Sequence, residues 1–172
     1  MVNAEDSKRA FVAVGSNLGN RIANCRKAVK LVCQRQGVNL DKVSGFYETA
    51  PVDIDSDNWF INGVFSVLTT LSPVQLLELL LQVEGQMGRD RAKGPDRIID
   101  LDLLSMEGVS RRPNQESNLE LPHPRFADRP FVLVPWSEIA PDLVVEGYSM
   151  SISQLLSCLD FDPLSIKKVE DF

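Results

Sequence analysis

Apolar positions along this 172-residue chain switch between two spacings, and the switches mark out its elements. Residues 10–14 form a short apolar run that reads as a buried strand, ended by Gly15-Ser16-Asn17. From Asn20, Ile22, Cys25, Val29 and Val32 fall at helical spacing, and Gly37 closes that helix. A second strand is expected at 42–48, then a loop at 49–58 rich in turn formers and acids. A long strand follows at 59–69. It puts Phe60, Asn62, Val64 and Ser66 on one face and Trp59, Ile61, Phe65 and Val67 on the other. Ser72-Pro73-Val74-Gln75 is a helix start, with a serine cap, proline at the first helical position and Gln75 completing a capping box. Leu76, Leu77, Leu79, Leu80 and Val83 supply its buried face, and Gly88 stops it. The next strand spans 97–104.

The order strand, helix, strand, strand, helix, strand predicts an α+β fold of the ferredoxin-like βαββαβ type, with a largely antiparallel sheet and its helices packed on one face. Beyond it the pattern is less regular. Residues 105–120 read as an exposed polar loop. Leu121-Pro122-His123-Pro124 must be extended, because each proline restricts the residue before it. A short helical element starts near Pro130, a small hairpin is expected at 144–149 and a short helix at 151–159. Residues 1–9 and 167–172 read as loose polar ends. The length fits one domain, 1–172.

Charge narrows the function classes. A net charge of −6 argues against a general nucleic-acid binder. No apolar run approaches membrane-spanning length and no signal-peptide pattern opens the chain, which points to the cytoplasm. Cys25, Cys33 and Cys158 are odd in number and lack C-x-x-C spacing, which favours free thiols. His123 is the single histidine, so a multi-histidine metal centre is excluded.

The candidate chemistry lies in Arg97-Ile98-Ile99-Asp100-Leu101-Asp102. On a strand, Asp100 and Asp102 project from one side while Ile99, Leu101 and Leu103 enter the core. Neighbouring carboxylates repel unless a cation joins them, and Mg²⁺ suits one or two carboxylates plus substrate phosphates. A lone D-x-D is more often an exposed edge with two solvated acids. Here Arg89, Arg91, Lys93 and Arg97 lie just upstream against only Asp90 and Asp96, so cations for phosphate stand beside carboxylates for a metal. On this reading, removing either acid abolishes activity without lowering the melting temperature. Gly15 and Gly19 match no phosphate-loop motif and are assigned to a tight turn. For Asn62, spacing alone favours hydrogen bonds to nearby backbone, with recognition of a polar ring as the alternative. Phe60 and Phe131 read by default as core.

The ordered set Val14-Gly15-Ser16-Asn17-Leu18-Gly19, Phe46-Tyr47-Glu48-Thr49, Asn62, Gly88-Arg89, Arg97-Ile98-Ile99-Asp100-Leu101-Asp102 and Pro122-His123-Pro124-Arg125 resembles the 6-hydroxymethyl-7,8-dihydropterin pyrophosphokinase family of folate biosynthesis, over about residues 10–160. The resemblance implies a ferredoxin-like fold and transfer of diphosphate from ATP to the pterin hydroxymethyl group, releasing AMP. It implies that Asp100 and Asp102 hold two Mg²⁺ ions with ATP, and that Arg89 and Arg97 complete the catalytic set by stabilising charge. Glu84, His123 and Arg129 join Arg89 and Arg97 on the ATP side. Thr49, Ala50, Val52, Phe60, Asn62 and Phe131 form the pterin pocket, with the two phenylalanine rings enclosing the pterin. The implied partners are ATP and the pterin, with no nucleic acid and no membrane; whether the chain acts as a monomer stays open.

This chain departs from the family in a short 89–97 loop without an aromatic residue, in Pro124 after the histidine, and in Asp96, where a proline or small residue is usual. The charge of Asp96 is expected to weaken ATP binding. Two alternatives remain at this point: another Mg²⁺-dependent nucleotide transferase acting through its D-x-D, and a catalytically weak or inactive ferredoxin-like ligand-binding relative.

Overall fold

Alternation along the strands sorts two hydrophobic clusters onto the two faces of one sheet. The computed structural model describes residues 7–52, 56–90, 92, 94–115 and 117–172. Strand β1 (Lys8–Ser16) is followed by helix α1 (Arg21–Cys33), β2 (Val38–Val43), β3 (Phe46–Thr49), β4 (Phe60–Thr69), α2 (Pro73–Gln86) and β5 (Asp100–Met106). Then come α3 (Pro130–Ile139), α4 (Ile152–Cys158) and β6 (Ile166–Glu170). The strands lie in the order β5-β1-β4-β3-β6, β2 pairs with β4 as well, and every pairing is antiparallel. This is the βαββαβ arrangement expected from the sequence, with additions.

Ala10, Val12 and Val14 of β1, Ile61, Phe65 and Val67 of β4, and Leu101 and Leu103 of β5 face α1 and α2. Both core helices therefore cover one face, as their apolar stripes require. The α2 start is the expected capping box, with Ser72 Oγ accepting from Gln75 N and Gln75 Oε1 accepting from Ser72 N. The opposite face carries a second cluster, in which Phe11, Val64 and Leu104 pack against Phe126, α3 and α4. The Phe11 and Trp136 rings lie 5.3 Å apart.

Four expectations change. The single strand at 42–48 is two strands. The register slips by one residue between the Val43–Phe65 and Tyr47–Asn62 pairs, and Ser44 Oγ accepts the Val64 N–H in the gap. The C-terminal tail is an edge strand: β6 pairs with β3, Arg26 bonds Glu170, and the Phe172 ring packs on Phe46. Residues 105–120 are not wholly an exposed loop, since Ser105 and Met106 close β5, Leu119 is buried and Arg111 bridges Leu121. The expected hairpin reduces to a bridge between Val144 and Ser151. Arg91, Lys93 and the acidic stretch 53–55 lie outside the described residues.

Candidate active site

The site occupies the part of the sheet that α3 leaves uncovered. Two cross-strand rows form its floor. Tyr47, Asn62, Gly15 and Asp100 are successive partners across β3, β4, β1 and β5, and Val64, Ala13 and Asp102 form the next row. Partners in an antiparallel ladder share a face, so Asn62 and the two aspartates project to one side. The central strand between them contributes only Ala13 and Gly15. Two small residues flanked by longer polar ones make a trough. Gly15 serves close approach rather than a tight turn, because a β-carbon there would lie 2.5 Å from Asn62 Oδ1. Gly19, with φ of 64°, does serve the turn.

Around this floor is a cavity of about 290 Å³ lined by every site residue expected from the sequence except Glu84. Arg89, Arg97, Asp100, Asp102, His123, Arg125 and Arg129 make its charged wall, and Thr49, Ala50, Val52, Phe60, Asn62 and Phe131 its neutral wall. The two aspartates are neither buried in the core nor turned away from the arginines.

Asp100 is held by two guanidiniums. Arg89 Nη1 bonds one carboxylate oxygen and Arg97 Nη1 bonds the other at 2.8 Å. Arg89 also donates to Ile99 O at 2.8 Å and lies 3.5 Å from Glu84 Oε1. Glu84 does not line the cavity: only 2% exposed, it accepts from Leu101 N at 2.8 Å and lies against Arg89, which does. Its position on the buried face of α2, in the last turn of the helix, explains why.

Asp102 is in a different state. Its nearest described cation is Arg129, at 3.8 Å. Desolvation, then the negative charge of Asp100, pushes its carboxyl up to about 6 against the opposing arginines. A divalent cation between the two acids would relieve that repulsion, so the donor set fits Mg²⁺ completed by phosphate oxygens. Among the described residues no cluster of three or more His, Cys, Asp or Glu is placed to hold a metal.

His123 reaches the cavity because its N–H bonds Leu104 O at 2.8 Å, at the point where β5 slips register against β1. Its Nδ1 accepts from Arg125 N at 3.1 Å, leaving Nε2 to carry the proton. Desolvation, and then Arg129, pushes its pKa down to about 4, so it offers a neutral donor.

On the neutral wall, Asn62 Nδ2 donates to Thr49 Oγ1 at 2.7 Å. Its partner is a side chain rather than the backbone that spacing favoured. Phe60 begins β4 and Phe131 lies in the first turn of α3, and each ring meets a guanidinium, Arg97 at 5.4 Å and Arg129 at 5.6 Å.

Asp96 does not face the phosphate side. Its carboxylate accepts from Ser56 Oγ at 2.5 Å, Asn17 Nδ2 at 2.6 Å and Asn58 Nδ2 at 2.9 Å. The Ser56 bond, with help from the two amides and Arg97, holds it below its usual range despite some desolvation. Asn17 also takes the Arg97 N–H at 2.7 Å and donates its own N–H to Arg97 O at 3.1 Å. The sequence reading assigned no role to Asn17, Ser56, Asn58 or Arg125. The only local signal was a buried-strand exit ending in asparagine.

Comparison with known proteins agrees. The family model described as 7,8-dihydro-6-hydroxymethylpterin-pyrophosphokinase matches residues 11–141. The 2-amino-4-hydroxy-6-hydroxymethyldihydropteridine pyrophosphokinase of Methylorubrum extorquens is 38% identical over 164 residues, covering 94% of this chain and 99% of its own. That of Bacillus subtilis is 40% identical over 148 residues, covering 84% and 86%. Among solved structures, wild-type Plasmodium falciparum HPPK-DHPS superposes with a TM-score of 0.70 at 12% identity, over 88% of this chain. The chain spans 44% of that longer protein, and the likeness bears on the fold alone. The match of the family model over most of the chain, with the two bacterial relatives, shows that this chain belongs to the 7,8-dihydro-6-hydroxymethylpterin-pyrophosphokinase family.

Proposed function

We propose that this chain transfers diphosphate from ATP to the hydroxymethyl group of 6-hydroxymethyl-7,8-dihydropterin, releasing AMP, as a step of folate biosynthesis in the cytoplasm. The observation that carries the reading is the single cavity in which a carboxylate pair, four arginines and a neutral histidine face an asparagine and two phenylalanine rings.

The residues divide the work by chemistry. Asn62, fixed by Thr49 and by the space above Gly15, reads the edge of the pterin. Phe60 and Phe131 bound the planar ring, and the backbone at 49–52 closes its rim. Arg89, Arg97, Arg129 and the Nε2–H of His123 take phosphate oxygens. Planar guanidiniums match those oxygens better than ammonium groups would. Asp100 and Asp102 would hold two Mg²⁺ ions with the triphosphate. The metal would supply charge neutralisation and a lowered pKa for the substrate hydroxyl. In the transfer, the pterin oxygen forms a bond to the β-phosphorus as the bond from that phosphorus to the α-bridging oxygen breaks. AMP departs with the electron pair and the hydroxyl proton goes to water. The protein's part is alignment and charge stabilisation.

Incubating the protein with ATP, Mg²⁺ and the reduced pterin tests this. AMP and the pterin diphosphate should form in equal amounts. ADP in place of AMP, or no AMP at high protein concentration, overturns it. The reading of a degenerate relative drew on the short 89–97 loop and on the charge of Asp96 beside the phosphate site; the Asp96 carboxylate is committed elsewhere, and the same assay tests the loop.

A further inference from the structure

Asp96 and Arg97 are adjacent in sequence, and each reaches the segment that enters β4. Arg97 lies over the ring of Phe60, and Asp96 takes the amide of Asn58. These are two rungs between the same pair of segments. Ser56 adds a third tie: its hydroxyl donates to Asp96 while accepting the Asn58 N–H at 3.1 Å. Asp96 is absent from the cavity lining, so its charge is spent on these ties and not on a ligand.

From this we infer that Asp96 is a positioning residue: its carboxylate latches the β4-entry segment to the Arg97 segment, so that nucleotide binding and pterin binding are coupled through it. The inference rests on the proposed function, which assigns Arg97 to ATP and Phe60 to the pterin.

The network makes the effect lopsided. Arg97 keeps two holds that do not involve Asp96, because its carbonyl accepts the Asn17 N–H and its guanidinium bonds Asp100, while the Asn17 amide that takes its N–H is itself tied to Asp96. Losing the Asp96 carboxylate leaves those two holds in place and releases Ser56, Asn58 and the Asn17 amide nitrogen. The phosphate side keeps its geometry, and the ring side loses its registration to it. A bound nucleotide that orders Arg97 can then no longer order Phe60 through the parallel rung. Coupling between two ligands is a free energy carried by elements both ligands bias, and here the shared element is this pair of segments.

The test compares wild type, Asp96→Ala, Asn58→Ala and the double variant. Pterin binding is titrated calorimetrically with and without saturating non-hydrolysable ATP analogue and Mg²⁺, alongside melting temperatures. In wild type the analogue should tighten pterin binding. In each single variant that tightening should fall by about tenfold, a typical size for such coupling, with analogue affinity measured alone little changed. The double variant should lose no more than either single one, because the two residues act as a unit. Where Asp96→Ala fails to fold, Asn58→Ala and Ser56→Ala carry the same comparison. Tightening that persists in the variants, or is absent in wild type that binds both ligands, overturns the latch. Analogue binding several-fold tighter in Asp96→Ala also overturns it, since Asp96 would then act as a repelling charge. Wild type that binds neither ligand sinks the proposed function instead.

Discussion

The two walls of the cavity are built on different terms. The neutral wall is finished from within: Asn62 has one partner, Thr49, on the adjacent strand, and one neighbour, Gly15, that gives it room. The charged wall holds its groups in mutual pairs. Asp100 engages two arginines while Asp102, two residues along the same strand, has one at 3.8 Å. A hydrogen-bonded amide can wait for its ligand in place. Ionised groups out of bulk water need counter-charges, so they neutralise one another, and under the proposed function a triphosphate and its cations would offer better partners. Under the proposed function, the neutral wall would set where the pterin goes, and the charged wall would hold charge ready to be redistributed.

The largest effect should come from the charge that is least compensated. Asp102→Ala is expected to lower kcat by about a thousandfold, the scale on which lost electrostatic stabilisation registers, with the KM for the pterin little changed. Raising Mg²⁺ should not restore the rate. A pterin KM that rises as much as kcat falls would show that the walls are not separable.

Asp100 should behave differently. The sequence treats the two acids as equivalent and expects neither to stabilise the protein. In the structure Asp100 is the shared partner of Arg89 and Arg97, whose side chains are 10% and 22% exposed. Asp100→Ala strands two poorly hydrated guanidiniums and should cost about 2 kcal/mol of stability, below the range for a fully buried pair because Arg89 keeps Glu84 and Ile99. Denaturant unfolding reads this directly, and an unchanged midpoint would make the pairs incidental.

On the neutral wall, Gly15→Ala should act through Asn62. The added carbon would displace the amide oxygen and raise the pterin KM about tenfold, near the cost of one misplaced hydrogen bond, with the ATP KM unchanged. Asn62→Leu should match it, and the two changes together should add little. Independent, additive effects would mean that Gly15 serves only the strand.

These contrasts show which parts of the site were legible in the sequence. Strand alternation put Asp100, Asp102 and Asn62 on their faces, and the Ser72–Gln75 box fixed the start of α2, because those signals are local. The roles of Asp96 and Asn17 were not legible. Their partnership spans 79 residues, and that of Asp96 with Ser56 spans 40. Nothing in a charged residue beside an arginine says which way it turns. The break between β2 and β3 comes from a register slip against β4, and β6 reads as a polar tail because an edge strand needs no apolar face. The family resemblance supplied the pterin, which no spacing in the chain could specify.

The smallest effect tests the idea that the charged wall carries unrelieved repulsion. The Asp102 carboxyl is pushed up to about 6 in the folded protein, against the ordinary aspartate value in the unfolded chain. Between those values the folded state binds more protons than the unfolded one, so stability falls as pH rises through that window. Below it both states are protonated and the penalty vanishes; above it the penalty is complete. Asp102→Asn removes the titration while keeping the shape. It should therefore be more stable than wild type at pH 7.5, by about 1 kcal/mol once the partial exposure of the side chain is discounted. The difference should close as the pH falls to about 4, where the ordinary aspartate titrates. Saturating Mg²⁺ with an ATP analogue at pH 7.5 should reverse the order by stabilising wild type alone. If Asp102→Asn were less stable than wild type at neutral pH without ligand, Arg129 would be holding Asp102 as firmly as Arg89 and Arg97 hold Asp100, and the inequality between the two aspartates would disappear.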